Sequence, residues 1–337
     1  MFGRLCRLVE IMIKITDVAN KAGVAKSTVS NVLTGRKYVS DELKERVLTA
    51  CREMDFQPNF YASRLSKRST NIIALLLEST AELSIHHKDL ISTCVVEASK
   101  RGYSLLIYYE SDKEKLLMTL RQGRAPIDGA IIMAPCVNDE RLLSLENNRI
   151  DCTVIGRPSS SDIGYVDVDN RLLVNKVTQK LVEVYGNDVY LINSAAGMTI
   201  SLDRRNGFAE VCEKHGIDFS KRIKDCELRS FSSGYDFAKD HLKPGAAFIT
   251  ADEIIAQGVY KAVEDGGLSV GRDVGVFSLG RGLEHGSFSP KLSYASQNYE
   301  QLGRLAVDML IDEIDGNKRD NILIDSDLHF SESTSKE

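Results

Sequence analysis

The stretch ITDVANKAGVAKSTVSNVLTG, residues 15–35, holds few large apolar side chains and one acid, Asp17. Its apolar residues still fall at helical spacing. Val18, Ala19 and Ala22 share one face, Thr16 can cap the start and Gly23 stops the run, which predicts a short helix over residues 16–22. A second helix begins after Val24, with Lys26, Ser27 and Asn31 on one face and Val29, Val32 and Leu33 on the other. Two helices joined by a short glycine-containing turn, the second with a polar outer face, make the helix-turn-helix layout, in which the second helix enters the major groove of DNA.

A third helix is expected from Ser40, a good cap followed by Asp41 and Glu42 where the helix dipole favours acid, to about Met54. Leu43, Val47, Ala50 and Met54 form its inward stripe. Any small three-helix bundle with a basic surface would share this pattern, and the next segment argues against that bland reading. Pro58 breaks the chain, Asn59 can cap, and residues 60–66 fit two helical turns ending in Lys67 and Arg68. So short a basic helix is marginal alone and folds best beside a partner helix and a phosphate backbone.

The 337 residues predict about two or three domains, and 43% hydrophobic with 27% charged residues describes a soluble globular chain. No run of about 18 apolar residues exists to span a membrane. In the opening MFGRLCRLVEIM, Glu10 interrupts the apolar stretch and no small-residue cleavage site follows, so secretion is excluded. Met12 reads as the natural start, with 1–11 a disordered upstream extension. Seven cysteines, odd in number and scattered without a C-x-x-C pair, argue against a disulfide framework and a zinc site and place the chain in a reducing cytoplasm. The net charge of -5 hides a split: residues 1–70 carry 13 basic and 7 acidic side chains, residues 71–337 carry 30 and 41. A basic head on an acidic body fits a nucleic-acid-binding module joined to a separate folded unit.

From Asn71 the pattern changes. NIIALLLES, YSLLIYY and DGAIIMAP read as buried strands, with LISTCVVEASKRG and KLLMTLRQG as helices between them. The rhythm resumes after about Asp169 with LVNKVTQKLVEVYG, DVYLINS, RRNGFAEVCEKHG, AAFITAD, IAQGVYKAVEDGG and VGVFSL. Such alternation predicts parallel βαβ units with ligands near the carboxyl ends of the strands, and two such lobes imply a cleft. No nucleotide-binding, catalytic or metal-ligating constellation competes, and no cofactor is implied. The glycines of SLGRGLEHG do not follow G-x-G-x-x-G and read as turn residues. His86 and His87 lack a third metal ligand at useful spacing; they face the cleft or form a solvated pair.

The motif D-V-A-x-x-A-G-V-x-x-x-T-V-S-x-V-L, followed by F-x-P-N-x-x-A-x-x-L, resembles the head and hinge of the LacI/GalR family of bacterial transcription regulators, and the resemblance runs essentially from Met12 to the end. It implies a small all-α helix-turn-helix head and an α/β two-lobed, periplasmic-binding-protein-like body with parallel sheets. The expected division is a DNA-binding domain over 12–57, a hinge helix and linker over 58–70, a first lobe over 71–169 and 299–323, and a second lobe over 170–298 and 324–333.

Carried over residue by residue, the resemblance implies that Lys26, Ser27 and Asn31 read bases, while Thr28, Ser30, Tyr38 and Ser40 touch the DNA backbone. The chemistry is coherent, because Lys donates to guanine O6 or N7, Asn pairs with adenine and hydroxyls suit phosphate oxygens. Solubility of the helix alone would also explain Thr28 and Ser30. Ala25 stands where the family often has Ser, so this helix lacks its cap oxygen. Asn59, Ala62 and Leu65 match the hinge, whose leucine wedges between base pairs in the minor groove and kinks the DNA; packing onto the body is the alternative for Leu65.

The effector pocket transfers unevenly. Arg204, in DRRNGF, matches the arginine that clamps ligand hydroxyl or carboxylate groups, although Arg205 beside it leaves the register open. Ala251 stands where the family has a ligand-binding Asn, next to the retained Asp252, and Gly280 replaces a ligand-binding acid, followed by Arg281. Two readings follow. Either the ligand is anionic, such as a sugar phosphate held by Arg204, Arg157 and Arg281, or the pocket has lost its ligand and a protein partner or abundance regulates the chain. Glu78, where the family lines its pocket, weighs against an anion, and His86 is a further pocket candidate.

One head reads only a few base pairs, so a homodimer on a pseudo-palindromic double-stranded operator is expected, with a small-molecule effector (sugar, sugar phosphate or related metabolite) and no membrane partner. Val95 and Val96 are candidate seam residues, core burial being the alternative. The tail SDLHFSESTSKE has no leucine heptads for a coiled-coil tetramer. The implied function is a transcriptional regulator, read as a repressor of a carbohydrate or related operon, not an enzyme. A solute-binding protein of transport would need export and no basic head, an enzyme would need a reacting constellation, and an architectural DNA binder would leave the acidic body without a task. A cytosolic sensor without DNA regulation is the remaining alternative from another class.

Overall fold

The computed structural model describes residues 13–34, 37–56, 69–77, 85–109, 118–119, 126–159, 162–280 and 288–336. The chain divides into two compact units, Met1–Thr70 and Asn71–Glu337.

In the first unit, α1 (Ile15–Ala22), α2 (Lys26–Thr34) and α3 (Asp41–Glu53) enclose a core of small side chains. Val18, Val29 and Val47 are fully buried beside Ala19, Ala22 and Ala50. α1 starts one residue earlier than the sequence pattern predicts, and Thr16 is not its cap. Lys14 occupies the N-cap position and its backbone N–H donates to the Asp17 carboxylate at 2.8 Å. Gly23 ends α1 in the left-handed region at φ 62°, where a side chain would be strained. Arg46 of α3 donates to the Ala22 carbonyl at 2.7 Å, so α3 satisfies an orphan acceptor at the end of α1. Ser40 stands at the N-cap of α3, but its side chain makes no capping bond.

The second unit holds two parallel sheets. The first has β1 (Ile72–Leu77), β2 (Ser104–Tyr109), β3 (Gly129–Met133), β4 (Asp151–Ile155), β5 (Gly164–Val168) and β11 (Ile322–Ile324), in the order β11-β5-β4-β3-β1-β2. The second has β6 (Val189–Asn193), β7 (Ile223–Asp225), β8 (Ala247–Thr250), β9 (Gly275–Ser278), β10 (Ser293–Ser296) and β12 (Asp327–His329), in the order β12-β10-β9-β8-β6-β7. All pairings are parallel except β10 with β12. β1 is a continuous apolar run because helices cover both faces of its sheet.

The helices of this unit are α4 (Ile85–Lys100), α5 (Glu140–Asn147), α6 (Asn170–Tyr185), α7 (Thr199–Lys214), α8 (Phe231–His241), α9 (Glu253–Asp265) and α10 (Tyr299–Ile314). The chain crosses between lobes three times. It leaves β5 for α6, returns from β10 into α10, which packs on β3, β4 and α4, and crosses again after Ile324, which still pairs with Val168.

Close helix packing in the second lobe depends on two glycines. A methyl group on Gly258 of α9 would lie 2.0 Å from the Phe231 carbonyl oxygen, and one on Gly234 of α8 would lie 2.0 Å from that of Ile255. Both obstacles are backbone and cannot swing aside. We therefore expect Gly258→Ala to destabilise the chain by about 1–3 kcal/mol, whereas Gly197→Ala, which meets nothing within 4 Å, has little steric effect. With no tryptophan in the chain, urea unfolding followed by far-ultraviolet circular dichroism is the measurement, and equal midpoints for the two variants would refute the packing argument.

Candidate functional site

In the head, fully buried Val29 anchors α2 from within, while Lys26 and Ser27 are exposed and Thr28, Ser30 and Asn31 are half-buried. The Ala25 carbonyl accepts the first helical bonds, from Thr28 and Val29, but Ala25 has no side-chain oxygen to cap α2. Tyr38 is 93% exposed, and Ser40 is also exposed. Asn59, Ala62 and Leu65 lie outside the described residues.

In the body, polar side chains gather where the strands of both sheets end at their carboxyl edges, between the two lobes. Arg157 follows β4, Asp167 ends β5, Asn170 opens α6, Asp203 and Arg204 lie on α7, Arg229 follows β7 and Asp252 caps α9. Arg204 is 3% exposed, whereas Arg205 turns outward to pair with Asp225. Of the two adjacent arginines, Arg204 is therefore the one that faces the interior.

A chain of hydrogen bonds joins the lobes here. Asp167 accepts from the backbone N–H of Val168 at 2.8 Å and of Arg157 at 3.0 Å, and from the Asn170 amide at 3.3 Å. The Asn170 oxygen accepts from Arg204 Nε at 3.4 Å, which is the one hydrogen bond of Arg204 among the described residues. Burial pushes Asp167 up to about 7, against the pull of those N–H groups. Burial also lowers Arg204 to about 10, with the nearby charge of Arg229 acting in the same direction. Arg157 Nη1 lies 3.7 Å from Asp203, and its buried Nε has no partner among the described residues. Asp252 caps α9 through the Ile255 N–H at 3.0 Å and faces Arg229 Nη1 at 3.5 Å. Half-buried Tyr299, pushed up to about 12 by desolvation, donates to Gln297, which donates in turn to the Leu279 carbonyl.

Thus Arg157, Arg204 and Asp252 come together between the lobes. Ala251 and Gly280 are buried at the ends of β8 and β9 and bring no side-chain hydrogen-bonding group. Glu78 and Arg281 lie outside the described residues, and of His86 only the backbone, in the first turn of α4, is described.

Asp167, Asn170, Asp203, Arg229 and Tyr299 were not singled out by sequence reasoning. Asp167 had a usable signal, an acid among the alternating residues of YVDVD. Arg229 had none, because its partner Asp252 is 23 positions away in the chain. On the other side of the cleft, a buried ion pair braces the first lobe. Arg141 holds Asp139 at 2.6 Å and donates to the carbonyls of Leu76, Met133 and Ala134, at the ends of β1 and β3. Burial alone would raise Asp139, but Arg141 holds it below its ordinary value.

A backbone clasp also closes the lobes on each other. Val137 N–H donates to Gly197 at 2.8 Å, and the N–H and hydroxyl of Thr199 both donate to Pro135, each at 3.1 Å.

Asp167 predicts a pH dependence. Its folded value of about 7 exceeds the unfolded value of 3.8, so the folded chain binds this proton more tightly. The resulting stability is complete below the unfolded value and is lost as pH rises through the folded one. Asp167→Asn should flatten that component of the urea stability profile between about pH 4 and 7. Profiles that stay parallel in wild type and variant would exclude the effect.

A sequence profile of bacterial regulatory proteins of the lacI family matches residues 14–59, and one of a periplasmic binding protein-like domain matches residues 184–334. The ribose operon repressor of Escherichia coli K12 is 27% identical over 314 residues, covering 90% of this chain and 93% of that protein. The structure of the lac repressor dimer bound to operator and the anti-inducer ONPF superposes with a TM-score of 0.81 at 20% identity, covering 96% of this chain and 99% of the other. The transcriptional regulator CelR–cellobiose complex superposes with a TM-score of 0.72 at 22% identity, covering 95% and 99%. With a lacI-type head, a binding-protein-like body and likeness to such a repressor along nine-tenths of its length, the chain belongs to the LacI family of bacterial regulatory proteins.

Proposed function

We propose that this chain is a dimeric repressor that reads a pseudo-palindromic operator through α2 and releases or tightens its grip when a small molecule enters the interlobe cleft. The observation that carries this reading is the construction of α2, clamped by fully buried Val29 while Lys26 and Ser27 face outward from a basic head. Lys26, Ser27 and Asn31 are assigned to base edges, and Thr28, Ser30, Tyr38 and Ser40 to the backbone. Asn59, Ala62 and Leu65 are assigned to the minor groove on sequence grounds alone.

A small-molecule effector is supported by one structural neighbour, which is a complex with cellobiose. Dimer pairing through the first lobe is supported by Val95 and Val96, which are 45% and 48% exposed on α4. Leu106 and Ile107, also exposed, lie on β2, the sheet's terminal strand, against which α4 packs. No helix among the described residues is long and apolar enough to cross a membrane. We place the protein in the cytoplasm, where its DNA target is. That placement suits the buried free thiols Cys94 and Cys152, both pushed up to about 12 by burial and therefore protonated packing residues.

Fluorescence anisotropy with a library of pseudo-palindromic operators, over a range of salt, tests the reading. Steeply salt-dependent, sequence-selective binding is expected. Lys26→Ala should cost about 1–3 kcal/mol and relax the preference at one position of each half-site, and Leu65→Ala should weaken binding to every sequence. Weak binding that ignores sequence and both substitutions, with or without added metabolites, would refute it.

A further inference from the structure

We propose that the interlobe cleft takes an anionic effector whose phosphate or carboxylate group is gripped jointly by Arg204 and Arg229. The inference rests on reading the cleft as the effector site and adds the chemical class of the ligand and a second residue that selects it.

Arg204 is 97% removed from solvent, yet its Nε–Asn170 contact at 3.4 Å is its one hydrogen bond among the described residues. The two terminal amino groups of its guanidinium make no hydrogen bond to those residues. Their donors are unfilled, and a planar fork of donors fits two oxygens of a carboxylate or phosphate at once. The nearest carboxylates are already engaged. Asp167 is filled by three N–H donors and is raised to about 7, so it is an incomplete counter-charge for Arg204 at neutral pH. Asp203 is paired with Arg157.

Arg229 brings a second positive charge to this wall, its guanidinium facing Asp252 at the N-cap of α9. Its own partner, Asp252, stands 3.5 Å away, beyond an ordinary charge-assisted hydrogen bond, and spends its other oxygen on capping α9. Arg229 is thus aimed by Asp252 but not saturated by it. Two cations that repel each other across a partly buried wall are both relieved by one anion between them.

A neutral sugar would make a different demand, because each hydroxyl donates as well as accepts. The ends of β8 and β9 meet that demand poorly, with Ala251 and Gly280 supplying no side-chain acceptor.

The test uses the full chain and three probes: inorganic phosphate, ribose and ribose 5-phosphate, the last two differing only in the phosphoryl group. Thermal unfolding by circular dichroism is followed in phosphate and in chloride of equal ionic strength, and calorimetry gives the affinity for the two sugars. Phosphate should raise the unfolding midpoint of the wild type by a few degrees above chloride. Ribose 5-phosphate should bind at least tenfold more tightly than ribose. Arg229→Gln should lose most of the phosphate shift and at least tenfold in ribose 5-phosphate affinity, whereas Arg272→Gln, which removes an exposed arginine paired with Asp273, should keep both. An absent phosphate shift, a shift unchanged by Arg229→Gln, or ribose binding as tightly as its phosphate would each overturn the inference. Operator anisotropy on the same samples separates the two failures. Intact sequence-selective binding with any of these results sinks the anionic ligand alone, and loss of selective DNA binding sinks the proposed function with it.

Discussion

At the first crossing between the lobes, Asp167, Asn170 and Arg204 solve the problem of burying charged groups in one place. A carboxylate and a guanidinium taken out of water need donors and acceptors within reach, or the fold loses several kcal/mol for each. Here the backbone N–H groups of Arg157 and Val168 fill the carboxylate, and Asn170 relays between it and Arg204. β5 contributes the acid, α6 the amide and α7 the base. The arrangement therefore holds only while both lobes keep their relative positions, and the rest of the cleft is organised around it.

The clasp between Pro135 and Thr199 gives α7 a second tie to the first lobe. α7 starts in the clasp and carries Asp203 and Arg204 a turn later. A change in lobe closure would therefore bear on both the clasp and the Asn170–Arg204 contact, since one helix carries Thr199 and Arg204. For a regulator, that coupling has to discriminate between two lobe arrangements by about 1–3 kcal/mol, which is the scale of one charge-assisted hydrogen bond gained or lost.

The head follows the opposite economy. Its core consists of valines and alanines because three short helices must approach closely, and because α2, among its described side chains, keeps only Val29 fully buried while presenting Lys26 and Ser27 outward. The scarcity of large apolar residues in residues 15–35 is the consequence of a helix whose outer face is reserved for polar contacts.

Local and periodic features were legible from the chain itself. Val18, Ala22, Val29 and Val47 could be placed in the head core, and the buried runs of β1, β3, β6, β8 and β9 in parallel sheets, because helical and strand periodicities act over neighbouring residues. The cap of α1 was misread. Thr16 is the commoner capping residue, but the Asp17 carboxylate takes the Lys14 N–H and moves the start of the helix. The cleft divided along the same line. Arg204 was found through its motif, whereas the inward turn that distinguishes it from Arg205, and the partnerships of Asp167 with Asn170 and of Arg229 with Asp252, emerged only when strand ends distant in sequence met. Periodicity is written in the order of residues, but desolvation and charge pairing depend on distances in space, and only the folded chain sets those.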